Sequence, residues 1–161
     1  MSRTLASALI LLGLAGCAHQ WPDPRAIDPV RPRIYITADN HLVVDQDPII
    51  VPRTGERRVT WQLPRDSKAR FNKESGITID TLDKLLLPDG TASKDTSRVT
   101  SINADLRKRA SSRISLFPCT PESDYEYACT IPTDLPRGLY AYTIRVMIDG
   151  KPSELDPRMM P

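Results

Sequence analysis

The chain has 161 residues, with 22 Lys and Arg against 20 Asp and Glu, and a formal net charge of +2 at pH 7. This length suits one domain with short appendages, which can bury roughly 70% of its unfolded surface. Because the two signs of charge are interspersed, no strongly basic face argues for a nucleic-acid partner. Fifteen prolines against seven glycines favour strand ends and extended linkers, so helix is predicted to be the minor element.

The N-terminal residues have the pattern of an export signal. Arg3 supplies a positive charge, and the apolar run LASALILLGL follows from Leu5 to Leu14. A membrane-spanning helix needs about twenty apolar residues, so this shorter run is typical of the hydrophobic region of a cleaved signal peptide. Residues 1–16 are therefore predicted to be removed.

The sequence LAGC, which ends at Cys17, resembles the lipobox of bacterial lipoproteins. The resemblance implies a mature chain that begins at a triacylated Cys17. Three acyl chains, at ~0.8 kcal/mol for each buried methylene, exceed what stable anchoring in the bilayer requires. An aspartate directly after the cysteine often retains such proteins in the inner membrane, but Ala18 stands here, so the expected location is the outer membrane, facing the periplasm. The alternative is an ordinary secretory signal in which Cys17 is incidental.

Residues 17–32 are predicted to form a tether between the lipid and the domain. The stretch AHQWPDPRAIDPVRP contains four prolines and has no apolar periodicity, which is typical of an extended linker. The domain is then predicted to occupy residues 33–161.

Cys119 and Cys129 remain as an even pair if Cys17 carries lipid. Disulfides form and persist in oxidising compartments, and the intervening TPESDYEYA is rich in turn formers. We therefore predict a structural disulfide between them. A redox or metal role is the alternative, but there is no CxxC spacing and neither cysteine has a histidine within ten residues.

The rest of the chain has the pattern of short strands separated by turns. Val59, Trp61 and Leu63 alternate with polar residues, and the even positions of LYAYTIRVMI (139–148) are all apolar or aromatic. About seven such strands predict an all-β fold, a single Greek-key-type β-sandwich. Residues 97–113 carry apolar side chains at helical spacing, so this segment is either a short crossover helix or a long loop.

The order of PIIVPRTGERRVTWQLP, LFPC and GLYAYTIRV is similar to that in cupredoxin-like and immunoglobulin-like β-sandwich domains. A blue-copper site needs two histidines, a thiolate and usually a methionine. The two histidines here are His19, in the tether, and His41, in a predicted turn. The resemblance therefore implies the fold without the copper site, and we expect no cofactor.

A second resemblance lies in NADLRKRASSRI, residues 103–114. Asn103, Leu106, Arg109 and Ala110 are of the residue types found in the peptidoglycan-binding motif of outer-membrane-protein-A-like domains. The Arg-Ala pair comes one residue early and the upstream T-D-x-x-G is missing. The basic triplet 107–109 within this segment has two further interpretations. It is either a solvated helix face or a contact for anionic lipid or glycan.

No other motif indicates chemistry. Asp39, Asp45 and Asp47 lie near His41 in sequence but lack the ligand order of a calcium loop. The hydrolase signatures G-x-S-x-G, S-x-x-K and H-E-x-x-H are absent from the sequence. We therefore expect no metal site, no catalytic residue and no enzyme activity.

Two segments are candidate contact surfaces: the acidic, tyrosine-rich TPESDYEYA, and the apolar C-terminal Met159, Met160 and Pro161. The overall prediction is a membrane-anchored envelope lipoprotein with a non-catalytic binding or assembly module. Its partners would be the bilayer, through Cys17, and an envelope protein, which an exposed edge strand or apolar patch would favour. The alternative is a small-ligand-binding lipoprotein with a pocket between the sheets, favoured by a polar-lined cavity of roughly 300 Å³ or more.

Overall fold

The computed structural model describes residues 27–55, 57–110 and 112–161. The predicted signal peptide, Cys17, His19 and most of the predicted tether lie outside these ranges. In the part of the chain that is described, no helix has the length and apolar character needed to cross a bilayer.

The described residues contain eleven strands and one helix, and most of the strands are short. In chain order the elements are β1 (Ile34–Ile36), β2 (Leu42–Val44), β3 (Ile49–Ile50), β4 (Arg58–Gln62), β5 (Ala69–Phe71), β6 (Ile77–Leu85), α1 (Thr96–Arg109), β7 (Cys119–Pro121), β8 (Glu126–Thr130), β9 (Gly138–Ile148), β10 (Lys151–Leu155) and β11 (Arg158–Met160).

The larger sheet is built around β9. Strands β5 and β6 pair antiparallel with β9, as do β10 and β11, and β3 pairs parallel with β11. The even-numbered side chains of β9 are buried, as the alternation predicted; they are Tyr140, Tyr142, Ile144, Val146 and Ile148. The apolar face of β9 therefore forms one wall of the core.

The smaller sheet has the strand order β4, β8, β7. The chain segment before β1 extends it, because Thr60 N donates to Val30 O (2.8 Å) and Gln62 N donates to Pro32 O (3.0 Å). Residues 30–33, assigned from the sequence to the end of the tether and the start of the domain, thus lie along β4. Strands β1 and β2 form a separate antiparallel hairpin.

Aromatic contacts join the β9 sheet to the β4–β8–β7 sheet, face to face. Trp61 on β4 lies 5.3 Å from Tyr142 on β9, measured between ring centroids, and Phe71 on β5 lies 5.6 Å from Tyr127 on β8. Trp61 is fully buried, as expected. The predicted all-β sandwich with one short helix is confirmed.

Helix α1 connects β6 to β7 and settles the two interpretations of residues 97–113. The Asp95 side chain caps its N-terminus by accepting a hydrogen bond from Arg98 N at 3.0 Å. Leu106 is buried, and Val99 and Ile102 pack partly buried against the core. The apolar spacing therefore belongs to a helix and not to a loop.

The C-terminal region contains two strands that the sequence analysis did not identify. Asp149 and Gly150, with φ of 49° and 76°, form the two-residue turn between β9 and β10. An Asp-Gly pair between strands is a strong hairpin signal, since both positions need positive φ. Beyond it, β11 places Met159 fully inside the core, so the apolar end of the chain docks on its own domain.

Candidate functional site

The predicted disulfide joins β7 to β8. Cys119 and Cys129 are bonded and lie directly opposite each other in the antiparallel ladder. Cys129 is fully buried, and Ser115 Oγ lies 3.6 Å from Cys119 Sγ. Because the bond reinforces a strand pair that backbone hydrogen bonds already define, its position is that of a structural cross-link.

Two of the three aspartates near His41, Asp45 and Asp47, accept hydrogen bonds from separate backbone groups. Asp45 Oδ1 accepts from Arg33 N at 2.9 Å, and Asp47 Oδ1 accepts from Arg158 N at 2.9 Å. Burial raises the pKa of Asp45, and the hydrogen bond from the Arg33 backbone opposes this. Across residues 27–55, 57–110 and 112–161, no three His, Cys, Asp or Glu side chains are grouped to hold a metal ion.

The residues that resemble a peptidoglycan-binding motif make contacts within the domain. Asn103 Oδ1 accepts from Leu82 N at 2.8 Å, and its Nδ2 donates to Leu82 O at 2.9 Å. Leu106 is buried in the core, and Arg109 forms an ion pair with Asp134 at 2.6 Å. These side chains hold α1 against the sheet and the loop before β9.

The other two members of the basic triplet 107–109 also contact the domain. Arg107 Nη2 donates to Asp80 O at 2.7 Å. Lys108 Nζ lies 3.5 Å from Asp105 on the same helix. The triplet is therefore a set of partnered cations on an exposed helix face.

The tyrosines of TPESDYEYA pack against the sandwich. Tyr127 is 2% exposed and its ring packs at a tilt against that of Phe71, and the guanidinium of Arg70 lies 4.2 Å from the ring centroid of Tyr125. Each acid of the segment lies near a cation; the pairs are Glu122 with Arg58, Asp124 with Arg70, and Glu126 with Arg65. This segment therefore has much of its charge compensated within the domain.

A different set of residues forms the most distinctive surface feature, which we call the arginine cleft. It has a volume of about 430 Å³ and is lined by Arg53, Leu85, Leu86, Leu87, Pro88, Arg98 and Arg137. The loop before β4, the end of β6, the first turn of α1 and the residue before β9 contribute to it. The cleft thus lies at the end of the sandwich where β6 ends and β9 begins.

Backbone contacts hold Arg98 and Arg137 in place, and a contact to the preceding residue holds the segment that carries Arg53. Arg98 N is bound by the Asp95 cap, and Arg137 O accepts from Leu86 N at 2.8 Å. Arg53 follows Pro52, whose carbonyl accepts from Arg57 Nη1 at 2.9 Å. Three exposed guanidinium groups are therefore carried on an ordered part of the backbone.

Among the described residues, no carboxylate forms an ion pair with an arginine of the cleft. None of the ion pairs or side-chain hydrogen bonds among the described residues involves the guanidinium of Arg53, Arg98 or Arg137. Asp89, next to the lining residue Pro88, accepts from the Thr91 backbone and hydroxyl, which lower its pKa. The hydroxyl of Ser97 and the amide of Arg98 lower the pKa of Asp95, and the charge of Arg98 contributes less.

This combination suits an anionic group attached to an apolar body. Guanidinium groups donate paired hydrogen bonds to phosphate or carboxylate oxygens. Between the arginines, Leu87 is 36% exposed and Pro88 is also exposed, which leaves an apolar wall. The described lining residues are all arginine, leucine or proline, and such side chains can hold an anion by hydrogen bonds and an apolar group by contact.

Sequence reasoning missed the arginine cleft because its arginines are far apart in the chain and belong to no motif. Arg53 and Arg137 lie in turn-rich segments, where a single charge carries no signal. The turn at Pro88-Asp89-Gly90, three residue types that favour turns, marks its rim: Gly90 has a φ of 86° and its N donates to Leu87 O. The meeting of these segments depends on the pairing of β6 with β9.

Comparisons of the chain with known protein families, with curated proteins and with solved structures found no match. The assignment of function therefore depends on the sequence features and on the geometry described above.

Proposed function

We propose that this chain is a lipid-anchored envelope protein whose β-sandwich is a non-catalytic binding module. The LAGC sequence at Cys17 supports the anchor, and Ala18 supports the outer membrane as the location. The binding module faces the periplasm, where an oxidising environment suits the Cys119–Cys129 disulfide.

The observation that carries the binding role is the arginine cleft. Three guanidinium groups surround it, and none has an ion-pair partner among the described residues, whereas Arg109, at the other end of α1, is paired with Asp134. Unpaired cations beside exposed apolar side chains are a recurring feature of sites for anionic ligands. The proposed ligand is therefore a phosphate or carboxylate group presented by an amphipathic partner.

A small-ligand-binding protein is the second candidate, and the volume of the cleft supports it. About 430 Å³ exceeds the roughly 300 Å³ that a small-molecule site needs. The site would lie at the end of the sandwich, because Trp61, Tyr140 and Tyr142 fill the space between the sheets. A small organic anion would then occupy the cleft alone, without a membrane or protein attached to it.

The anchor is tested by Cys17→Ser. We expect this variant to leave the membrane fraction, and mass spectrometry of the wild-type N-terminal peptide to show three acyl chains on Cys17. The control is the double variant Cys119→Ser with Cys129→Ser, which removes the other thiols and is expected to stay membrane-bound. Retention of Cys17→Ser in the membrane would refute the lipid anchor.

Binding of an anion is tested with glycerol phosphate, titrated into the acylated protein in discs of zwitterionic lipid. Amide chemical shifts of residues 85–98 are expected to move. The triple variant Arg53→Gln, Arg98→Gln, Arg137→Gln should abolish the change. A matched variant, Arg65→Gln, Lys68→Gln, Lys151→Gln, removes three exposed cations far from the cleft and should retain it. Equal shifts in both variants would contradict the assignment of the site.

A further inference from the structure

We infer that the arginine cleft binds the phosphate of anionic phospholipid headgroups, so that the domain docks on the bilayer that carries its anchor. This inference rests on the proposed anchoring at Cys17. It goes further by naming the occupant of the cleft and the orientation of the domain.

The first argument is the end of the domain at which the chain enters. Residues 30–33 run parallel to β4. Arg33 forms a parallel β-bridge with Gln62, and Val30 O accepts a hydrogen bond from Thr60 N. They therefore start at the end where β4 starts. That end also carries Arg57, which donates to the Pro52 and Ile131 carbonyls. Arg53 belongs to the same loop, so the tether reaches the domain at the end that bears the arginine cleft.

The second argument is the length of the tether. Ten residue steps separate Cys17 from Ile27, which at the ~3.1 Å per residue of a polyproline-like linker gives a reach of about 30 Å. This is about the diameter of a small domain. The cleft end is therefore kept near the headgroups, where a high local concentration of lipid phosphate compensates for a modest affinity.

The third argument is the chemistry of this end. An anionic membrane surface attracts nearby basic side chains, and apolar side chains among them enter the interface. The cleft supplies Arg53, Arg98 and Arg137 together with the exposed Leu87. Ile27, where the tether meets the domain, is also 42% exposed. The arginines would therefore contact lipid phosphates, and the exposed apolar side chains beside them would enter the bilayer interface above the acyl chains.

The opposite end of the sandwich has a different character. Ala69 pairs with Ile148, and Lys151 follows the turn that ends β9. Of the cations there, Lys68 lies 3.2 Å from Asp149. This end supplies the matched control, since the loss of three of its cations changes the net charge equally without touching the cleft.

The test uses the full acylated protein, reconstituted into vesicles of phosphatidylcholine alone or of phosphatidylcholine with phosphatidylglycerol. Hydrogen exchange of the amides in residues 86–98 is followed in both. We expect slower exchange in the phosphatidylglycerol vesicles. Each Arg→Gln change in the cleft should weaken the docking equilibrium about fivefold. The triple variant should then show the same exchange in both vesicles, whereas the control variant Arg65→Gln, Lys68→Gln, Lys151→Gln should behave as the wild type.

Three outcomes would overturn the inference. Equal exchange of residues 86–98 in the two vesicles, with the protein acylated and bound, would refute docking while leaving the anchor intact. If glycerol phosphate added to the neutral vesicles slows the exchange and phosphatidylglycerol does not, the cleft would be assigned to a small soluble anion. An unmodified Cys17 in the purified protein would instead refute the anchor, and the inference with it.

Discussion

At the scale of single residues, β9 carries two buried phenols that differ in their hydrogen bonds. Tyr140 Oη donates to Pro136 O at 3.0 Å. Tyr142 Oη and Trp61 Nε1 are both buried and make no hydrogen bond of normal geometry among the described residues, although the Trp61 side chain is close enough to oppose the rise that burial causes in the pKa of Tyr142. A buried hydroxyl without a partner loses its hydration and gains nothing in return. The two hydroxyls should therefore make opposite contributions to stability.

We predict that Tyr140→Phe lowers the free energy of unfolding by about 1 kcal/mol, the net value of one hydrogen bond. Tyr142→Phe removes the hydroxyl that has no partner, so it should leave stability unchanged or raise it slightly. Urea denaturation of the two variants, which differ from the wild type by one oxygen each, measures both effects. A larger loss for Tyr142→Phe than for Tyr140→Phe would show that this hydroxyl is bonded in solution.

Arg57 offers a second prediction at this scale. Its guanidinium donates to three carbonyls, those of Pro52, Ile131 and Pro132, at 2.8 to 3.1 Å. A lysine in its place has a single nitrogen and cannot reach all three, so we expect Arg57→Lys to lower the unfolding free energy by about 2 kcal/mol. Arg65→Lys is the control, because its 3.9 Å ion pair is exposed and should contribute little. Equal urea midpoints for the two variants would contradict the role given to Arg57.

At the scale of elements, α1 protects the edge of β6. A strand at the edge of a sheet presents unpaired backbone groups that invite pairing with another chain. Here Asn103 binds both backbone groups of Leu82, and Arg107 binds the carbonyl of Asp80. Leu116 N completes the cover by donating to Ile79 O at 2.7 Å. The helix thus covers this edge mainly through hydrogen bonds from its polar side chains to the backbone of β6.

We predict that Asn103→Ala opens this edge. The Leu82 amide would lose its acceptor, so its hydrogen exchange should accelerate, and the free energy of unfolding should fall by about 1 to 2 kcal/mol. Ser101→Ala, at an exposed position of the same helix, should change neither quantity. Unchanged exchange at Leu82 in Asn103→Ala would mean that the edge is protected by other contacts.

The same elements show how far the sequence predicts this fold. The alternation in β9 and around Trp61 correctly assigns the core faces, because burial of one face imposes a period of two. The disulfide follows from the even pair that remains once Cys17 is assigned to lipid. The partners of Asn103 and Arg109 do not follow, since a helical pattern gives spacing along the helix and not the strand it contacts.

At the scale of the whole molecule, the arginine cleft could not be predicted from the sequence. Its parts, Arg53, Arg98 and Arg137, are brought together by the long pairing of β6 with β9 and by the Arg57 contacts between loops. Neither is encoded in a local pattern. The LAGC resemblance differs from the cleft in this respect. It is recognised from four consecutive residues and their position after an apolar run.

The whole core also determines the response to alkaline pH. Burial raises the pKa of Tyr127, Tyr140 and Tyr142 above the ordinary value of 10.0, and the charge of Asp134 adds to the effect at Tyr140. Above pH 10 the unfolded chain therefore releases protons that the folded chain retains. Stability is fully present below pH 10 and is lost as the pH rises above it.

We expect Tyr140 and Tyr142 to ionise only as the domain unfolds, since a tyrosinate cannot be solvated in a core where these side chains are fully buried. Tyrosinate absorbance and circular dichroism, recorded together during a titration to high pH, test this. The unfolding step should carry the absorbance of at least two phenols in the wild type and of one fewer in Tyr142→Phe. Reversible ionisation of all five tyrosines with the circular dichroism of the folded domain intact would show that solvent reaches the interior between the sheets.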